Sequence, residues 1–169
     1  MAMKAKHTRS DIRAVLDRQV AQMRQPIVNI LHYAGEECVN IARNLPHPPE
    51  SLWMENGTVK SHIPPHQPNY IDWTANLRSS IGYVVVEDGE VVGAGGFRAE
   101  NGGEKGAEEG RRFAEDLALQ YPSGYALIIV AGMHYAAAVQ SKGYDVLSSA
   151  TIEADQIVPQ LLKQLEIEK

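Results

Sequence analysis

Ile81-Gly82-Tyr83-Val84-Val85-Val86-Glu87, then Asp88-Gly89, then Glu90-Val91-Val92-Gly93-Ala94-Gly95-Gly96-Phe97 is the stretch on which the fold turns. Its first run is β-branched and apolar, and Asp-Gly supplies the positive φ angles that a two-residue hairpin turn needs. The stretch reads as a β-hairpin. Downstream, Tyr125–Ala131 has the continuous apolar character of a third, buried strand, bounded by Pro122-Ser123-Gly124 and Gly132.

Upstream lies a long helical pattern. Ile12, Val15, Leu16, Val20, Met23, Ile27, Leu31, Ala34, Cys38, Ile41 and Leu45 recur at steps of mostly three or four and mark one helix face. Thr8 or Ser10 can cap its start, Asp11 suits the positive end of its dipole, and Pro46 ends it. Pro26 predicts a kink near Ala21 and Gln22. Unbroken, such a helix is about 52 Å long, more than the roughly 40 Å diameter of a domain of this size. It must bend, protrude or pack on another subunit.

Between hairpin and third strand, Ala107–Gln120 is amphipathic, with Phe113, Ala114, Leu117 and Tyr121 expected on its buried face. A short helix is expected over His134–Ser141, ended by a left-handed Gly143, and a last helix from about Ser149, with Val158, Leu161, Leu162 and Leu165 on one face. The expected fold is therefore α+β: a long N-terminal helix packed on a small antiparallel sheet of hairpin plus third strand, with an inserted helix and a C-terminal helix. All 169 residues fit one domain, with a helical insertion expected at 99–122.

Residues 46–70 hold six of the nine prolines, so helix and central strand are both disfavoured there. This segment reads as an extended arm, carrying a small hairpin around Asn56-Gly57. Its Trp53, Met54 and Tyr70 are costly to leave in water, which makes the arm a candidate partner contact with Trp53 as anchor.

Net charge is −5 and uneven: residues 1–30 hold six basic and two acidic side chains, a net of +4, which leaves −9 for the remainder. The basic residues are spaced along the helix without interleaved aromatics, the pattern of a solvated face, so no tight nucleic-acid binding is expected. The apolar run Ala126–Ala131 is far too short to span a bilayer as a helix, and no membrane association is expected. The single cysteine, Cys38, has no internal disulfide partner and reads as a small buried apolar residue.

Chemistry-bearing patterns are sparse. Gly93-Ala94-Gly95-Gly96 lacks the third glycine of a dinucleotide loop, since Arg98 stands there, and reads as glycines that let a neighbour approach. Gly102-Gly103-Glu104-Lys105-Gly106 lacks the ending of a phosphate loop and reads as a surface turn. His47, His62 and His66 have no metal-ligand spacing, and Cys38 with His32 or His134 has no nucleophile signature around it. No catalytic, cofactor or metal residue is assigned. A cleft lined by Tyr83, His134 and Tyr135 would be the starting point for the alternative, a small ligand-binding module or enzyme.

Two stretches carry a more specific pattern. Asp72-Trp73-Thr74-Ala75-Asn76-Leu77-Arg78-Ser79-Ser80-Ile81 resembles the Asp-Thr-Gly-x-Leu-x-x-Ser-Ile stretch of the head-to-tail joining, or tail-completion, proteins of lambdoid tailed phages, the minor tail protein Z-like family. Tyr135-Ala136-Ala137-Ala138-Val139-Gln140-Ser141-Lys142-Gly143 is similar to that family's Tyr-Ala-x-x-Val-Glu-x-x-Gly stretch. The order of elements is shared outside 46–70 and 99–122. Trp73 interrupts the first motif, Ala75 replaces its glycine, and Gln140 replaces the glutamate of the second.

The resemblance implies a non-catalytic virion protein of the neck, present in the host cytoplasm during assembly. It also implies a homo-oligomeric ring docked to a portal (connector) or tail-tube protein. With the arm's aromatics, the partner-interface candidates are Trp53, Tyr70, Leu77, Arg78, Tyr135, Val139 and Gly143. Leu77 and Ile81 are expected to pack on the core, Arg78 and Ser79 to cap or contact neighbours.

Overall fold

In the computed structural model the described residues are 9–45, 54, 55, 58, 59 and 70–167. Helix α1 spans Arg9–Arg43 and continues through Pro26. A small antiparallel pair follows, β1 (Met54–Glu55) and β2 (Thr58–Val59), where the Asn-Gly turn is expected. Then come the one-turn helix α2 (Asn76–Ser79), strands β3 (Ile81–Glu87) and β4 (Glu90–Gly96), helix α3 (Glu104–Ala118), strand β5 (Tyr125–Ala131), and helices α4 (Ala136–Ser141) and α5 (Ser148–Ile167). The fold is α+β, as expected from the sequence. Trp53 and most of the arm lie outside the described residues.

Strands run antiparallel in the order β4-β3-β5. Every residue of β3 is buried, because α1 and α5 cover one face of the sheet and α3 the other. A central strand wetted on neither face needs no alternation, which explains the unbroken valine run. Ile81, Tyr83 and Val85 pack with Leu31, Cys38, Val39 and Ala150 on the α1 side, and Val84 and Val86 with Ala114, Ala118, Ile128 and Val130 on the other. Asp88 and Gly89 both have positive φ, 49° and 86°, as the hairpin turn requires.

Helix α3 departs from the expected facing. Its buried positions are Gly106, Gly110, Ala114 and Ala118, while Phe113 and Tyr121 are 45% and 47% exposed. The cause is close approach. A Cβ on Gly110 would lie 2.3 Å from the Ser80 carbonyl oxygen, and one on Gly106 2.0 Å from that of Asn76. The helix backbone rests directly on the chain beneath, so small residues, not large ones, mark its inner face. Gly103 is likewise no open turn residue: it is buried, and a Cβ there would lie 2.1 Å from the Ser79 Oγ.

Candidate functional site

The stretch from Asp72 to Ser80 is shaped by its own polar groups. Asp72 Oδ2 accepts the Arg78 backbone N–H at 2.8 Å, Ala75 sits in the left-handed region at φ 55°, and the Ser80 hydroxyl donates to the Leu77 carbonyl at 2.7 Å. This tight turn drives Leu77 inward, onto Tyr70, Met133, Ala136 and Val146. Asn76 faces the other way and accepts the Gly106 N–H at 3.0 Å, which fastens the start of α3 to α2.

The second stretch reaches the same place from the end of β5. After Ala131 the chain turns, the Ala136 N–H donates to the Met133 carbonyl at 2.8 Å, and the Val139 N–H to the Tyr135 carbonyl at 3.0 Å. Tyr135 and Val139 pack against the cluster that holds Leu77, and His134 meets Tyr135 edge-on at 5.2 Å. Gly143, at φ 87°, ends the turn as the sequence predicts.

Together they enclose a cavity of about 430 Å³, lined by Tyr70, Trp73, Thr74, Leu77, Lys105, Met133, His134, Tyr135 and Val139 among others. Its walls are mostly apolar, and Trp73 stands at its rim, 61% exposed. Burial raises the Tyr135 hydroxyl above the usual tyrosine value, and raises Tyr70 more strongly. Both phenols are neutral at ordinary pH, so the charged groups at the groove are Asp72 and Lys105.

Behind the groove lies a buried pair of guanidinium groups. Arg78 is stacked over the Tyr70 ring at 5.4 Å and donates from Nη1 to the Arg43 carbonyl at 2.8 Å. Arg43 in turn donates from Nη2 to the Arg98 carbonyl at 2.9 Å and to Glu100 Oε1 at 2.5 Å. The Glu100 N–H donates to the Ser79 hydroxyl oxygen at 3.1 Å. The two arginines thus tie the end of α1, the α2 turn and the loop after β4 into one unit.

Of the residues singled out in the sequence, Tyr70, Leu77, Tyr135 and Val139 come together at the groove. Tyr70 and Leu77 are its floor, buried at 4% and 1%, and Arg78 supports it from beneath. Tyr70 therefore belongs to the domain core and not to a projecting arm. Arg78 and Ser79 are both buried within the chain, where they bind its own backbone. Gly143 does not line the groove.

Tyr83, His134 and Tyr135 do not share a cleft. Tyr83 is buried on the α1 side of the sheet, where its hydroxyl bonds to Glu36 and His32, each at 2.9 Å. That trio was not anticipated, though one signal was present. The alternating Gly93 and Gly95 leave the space that His32 and Glu36 occupy, since a Cβ on either would lie within 2.4 Å of one of those side chains. Cys38 is fully buried beside it, and burial raises its thiol further, away from reactivity.

Among the described residues no group of three or more His, Cys, Asp or Glu is placed to hold a metal ion, and no helix is long and apolar enough to cross a membrane. No protein family, curated protein or solved structure matches the chain.

Proposed function

We propose that the chain is a structural component of the neck of a tailed phage or prophage virion, which joins head to tail, acts as a homo-oligomer and performs no catalysis. The observation that carries this reading is the meeting of 72–81 and 135–143, two stretches far apart in sequence, at one apolar groove with Trp73 on its rim. These are the two stretches on which the family resemblance rests. An exposed tryptophan beside an apolar pocket has the make-up of a protein-docking anchor.

The charge pattern supports the same role. An acidic body repels the phosphates of DNA moving through a neck, while the basic N-terminal half of α1 suits an acidic protein neighbour. The portal or tail-tube protein is the partner, met in the host cytoplasm before the virion is complete. The experiment is co-expression with the portal and tail-tube proteins of its own gene neighbourhood, which that neighbourhood must first be found to encode. Co-purification with either supports the role, and a neighbourhood of metabolic genes with no such protein contradicts it.

A further inference from the structure

The first fourteen residues of α1, 9–22, are all exposed. At 1.5 Å per residue they project roughly 21 Å. Yet Ile12, Val15, Leu16 and Val20 recur at helical spacing on this segment, each more than half exposed. From Ile27 onward the same face is covered, by Ala154 and Val158 of α5. An isolated helix of this length is marginal in water, and an uncovered apolar stripe marks a contact surface.

A second uncovered apolar feature lies elsewhere on the chain. A groove of about 620 Å³ runs between α1, α5 and the α1-facing side of the edge strand β5, lined by Leu127, Ile129, Ala154, Asp155, Val158 and Leu162 among others. Among the described residues β5 pairs only with β3, so this edge also presents free backbone groups. The stripe cannot fold back onto this groove, because Ile27 and Leu31 of the same continuous helix already form one of its walls.

We propose that the exposed stripe of one copy seats in the α1–α5–β5 groove of a second copy, head to tail. Charge selects this occupant. Arg9 and Arg13 flank the stripe on the helix surface, so stripe against stripe would set these like charges together, although the exposed segment 9–22 as a whole, with Arg18, Asp11 and Asp17, is only +1. Of the residues that line the groove, the charged one is Asp155 of α5, an acidic group at the mouth that would receive a basic stripe. A contact between two different surfaces is heterologous and leaves one stripe and one groove free at each end, so it propagates until a ring closes. The inference rests on the neck reading for the ring's place in a virion, and on the surface alone for the contact itself.

The test is native mass spectrometry of the full chain, with circular dichroism as the check on folding. The wild-type chain should be multimeric. Leu16→Asp, in the stripe, and Leu162→Arg, in the groove, should each be folded monomers, with the exposed Asp155→Arg as a second groove variant that spares the core. A mixture of Leu16→Asp, whose groove is intact, with the monomeric groove variant, whose stripe is intact, should give dimers and nothing larger. A monomeric wild type, wild-type mass in Leu16→Asp or in both groove variants, or no dimer in the mixture would overturn the proposal. Binding to portal and tail-tube protein is scored separately, so a wild-type monomer that still binds them overturns the docking contact and leaves the neck reading standing.

Discussion

The Tyr83 hydroxyl donates to Glu36 Oε1 at 2.9 Å and so fastens the central strand of the sheet to the long helix that crosses it. Its single proton is committed to the carboxylate, so the second contact, to His32 Nδ1 at 2.9 Å, requires the imidazole to carry hydrogen on Nδ1 and donate. Three side chains from two elements form one donor chain. Tyr83→Phe leaves the ring packing intact and removes the link. Since hydrogen bonds to charged groups contribute about 1.5–3 kcal/mol and Glu36 is exposed, the expected loss is about 1–2 kcal/mol in a denaturant titration.

The same hydroxyl sets an alkaline limit. Burial, and the bond to Glu36, raise Tyr83 above the usual tyrosine value, and burial does the same for Tyr70. A group whose folded value lies above its unfolded one contributes stability that is complete below the unfolded value and lost as pH rises toward the folded value. The buried Cys38 thiol, also raised, begins a smaller fall near the ordinary thiol value of about 8.5. On top of it, the tyrosine contribution to unfolding free energy should be level up to about pH 10, the ordinary tyrosine value, and fall above it. Tyr83→Phe should shallow that fall, and an unchanged alkaline slope would contradict the assignment.

Gly110→Ala sets two effects against each other. Alanine is the better helix former by about 1 kcal/mol. The added Cβ would meet the Ser80 carbonyl oxygen at 2.3 Å, and that oxygen also accepts the Gly132 N–H. Overpacking against backbone costs about 1–3 kcal/mol and the backbone cannot rotate away, so net destabilisation of about 1–2 kcal/mol is expected from thermal or denaturant unfolding.

Trp73 offers the opposite balance. At 61% exposed it contributes little to the core, and Trp73→Ala should leave the melting temperature within a few degrees of wild type. If the groove beside it receives the portal or tail-tube protein, the same change should weaken that binding by about 2 kcal/mol, roughly thirty-fold, in a titration. Unchanged affinity would place the docking surface elsewhere.

The hairpin, the third strand and the long helix were legible because each rests on local chemistry: Asp88-Gly89 for the turn, valine runs for buried strands, three-four spacing for α1. The α3 face was not legible. Amphipathicity assigns large apolar residues to the core, whereas backbone contact at Gly106 and Gly110 is a tertiary fact that turns Phe113 and Tyr121 outward. At the groove, the two motif stretches could be read singly, but their meeting depends on how β3 and β5 pair. The burial of Tyr70 escaped notice for a similar reason. Composition assigned it to the proline-rich arm, while Leu77 and Met133 hold it in the domain.

The central claim, that this chain bridges head and tail, is tested most directly by native mass spectrometry of the purified chain mixed with portal protein, with tail-tube protein, and with both. The account predicts a multi-copy assembly of the chain bound to at least one of them, with that binding weakened about thirty-fold in Trp73→Ala while the variant remains folded. A chain that keeps its own mass in all three mixtures would contradict it.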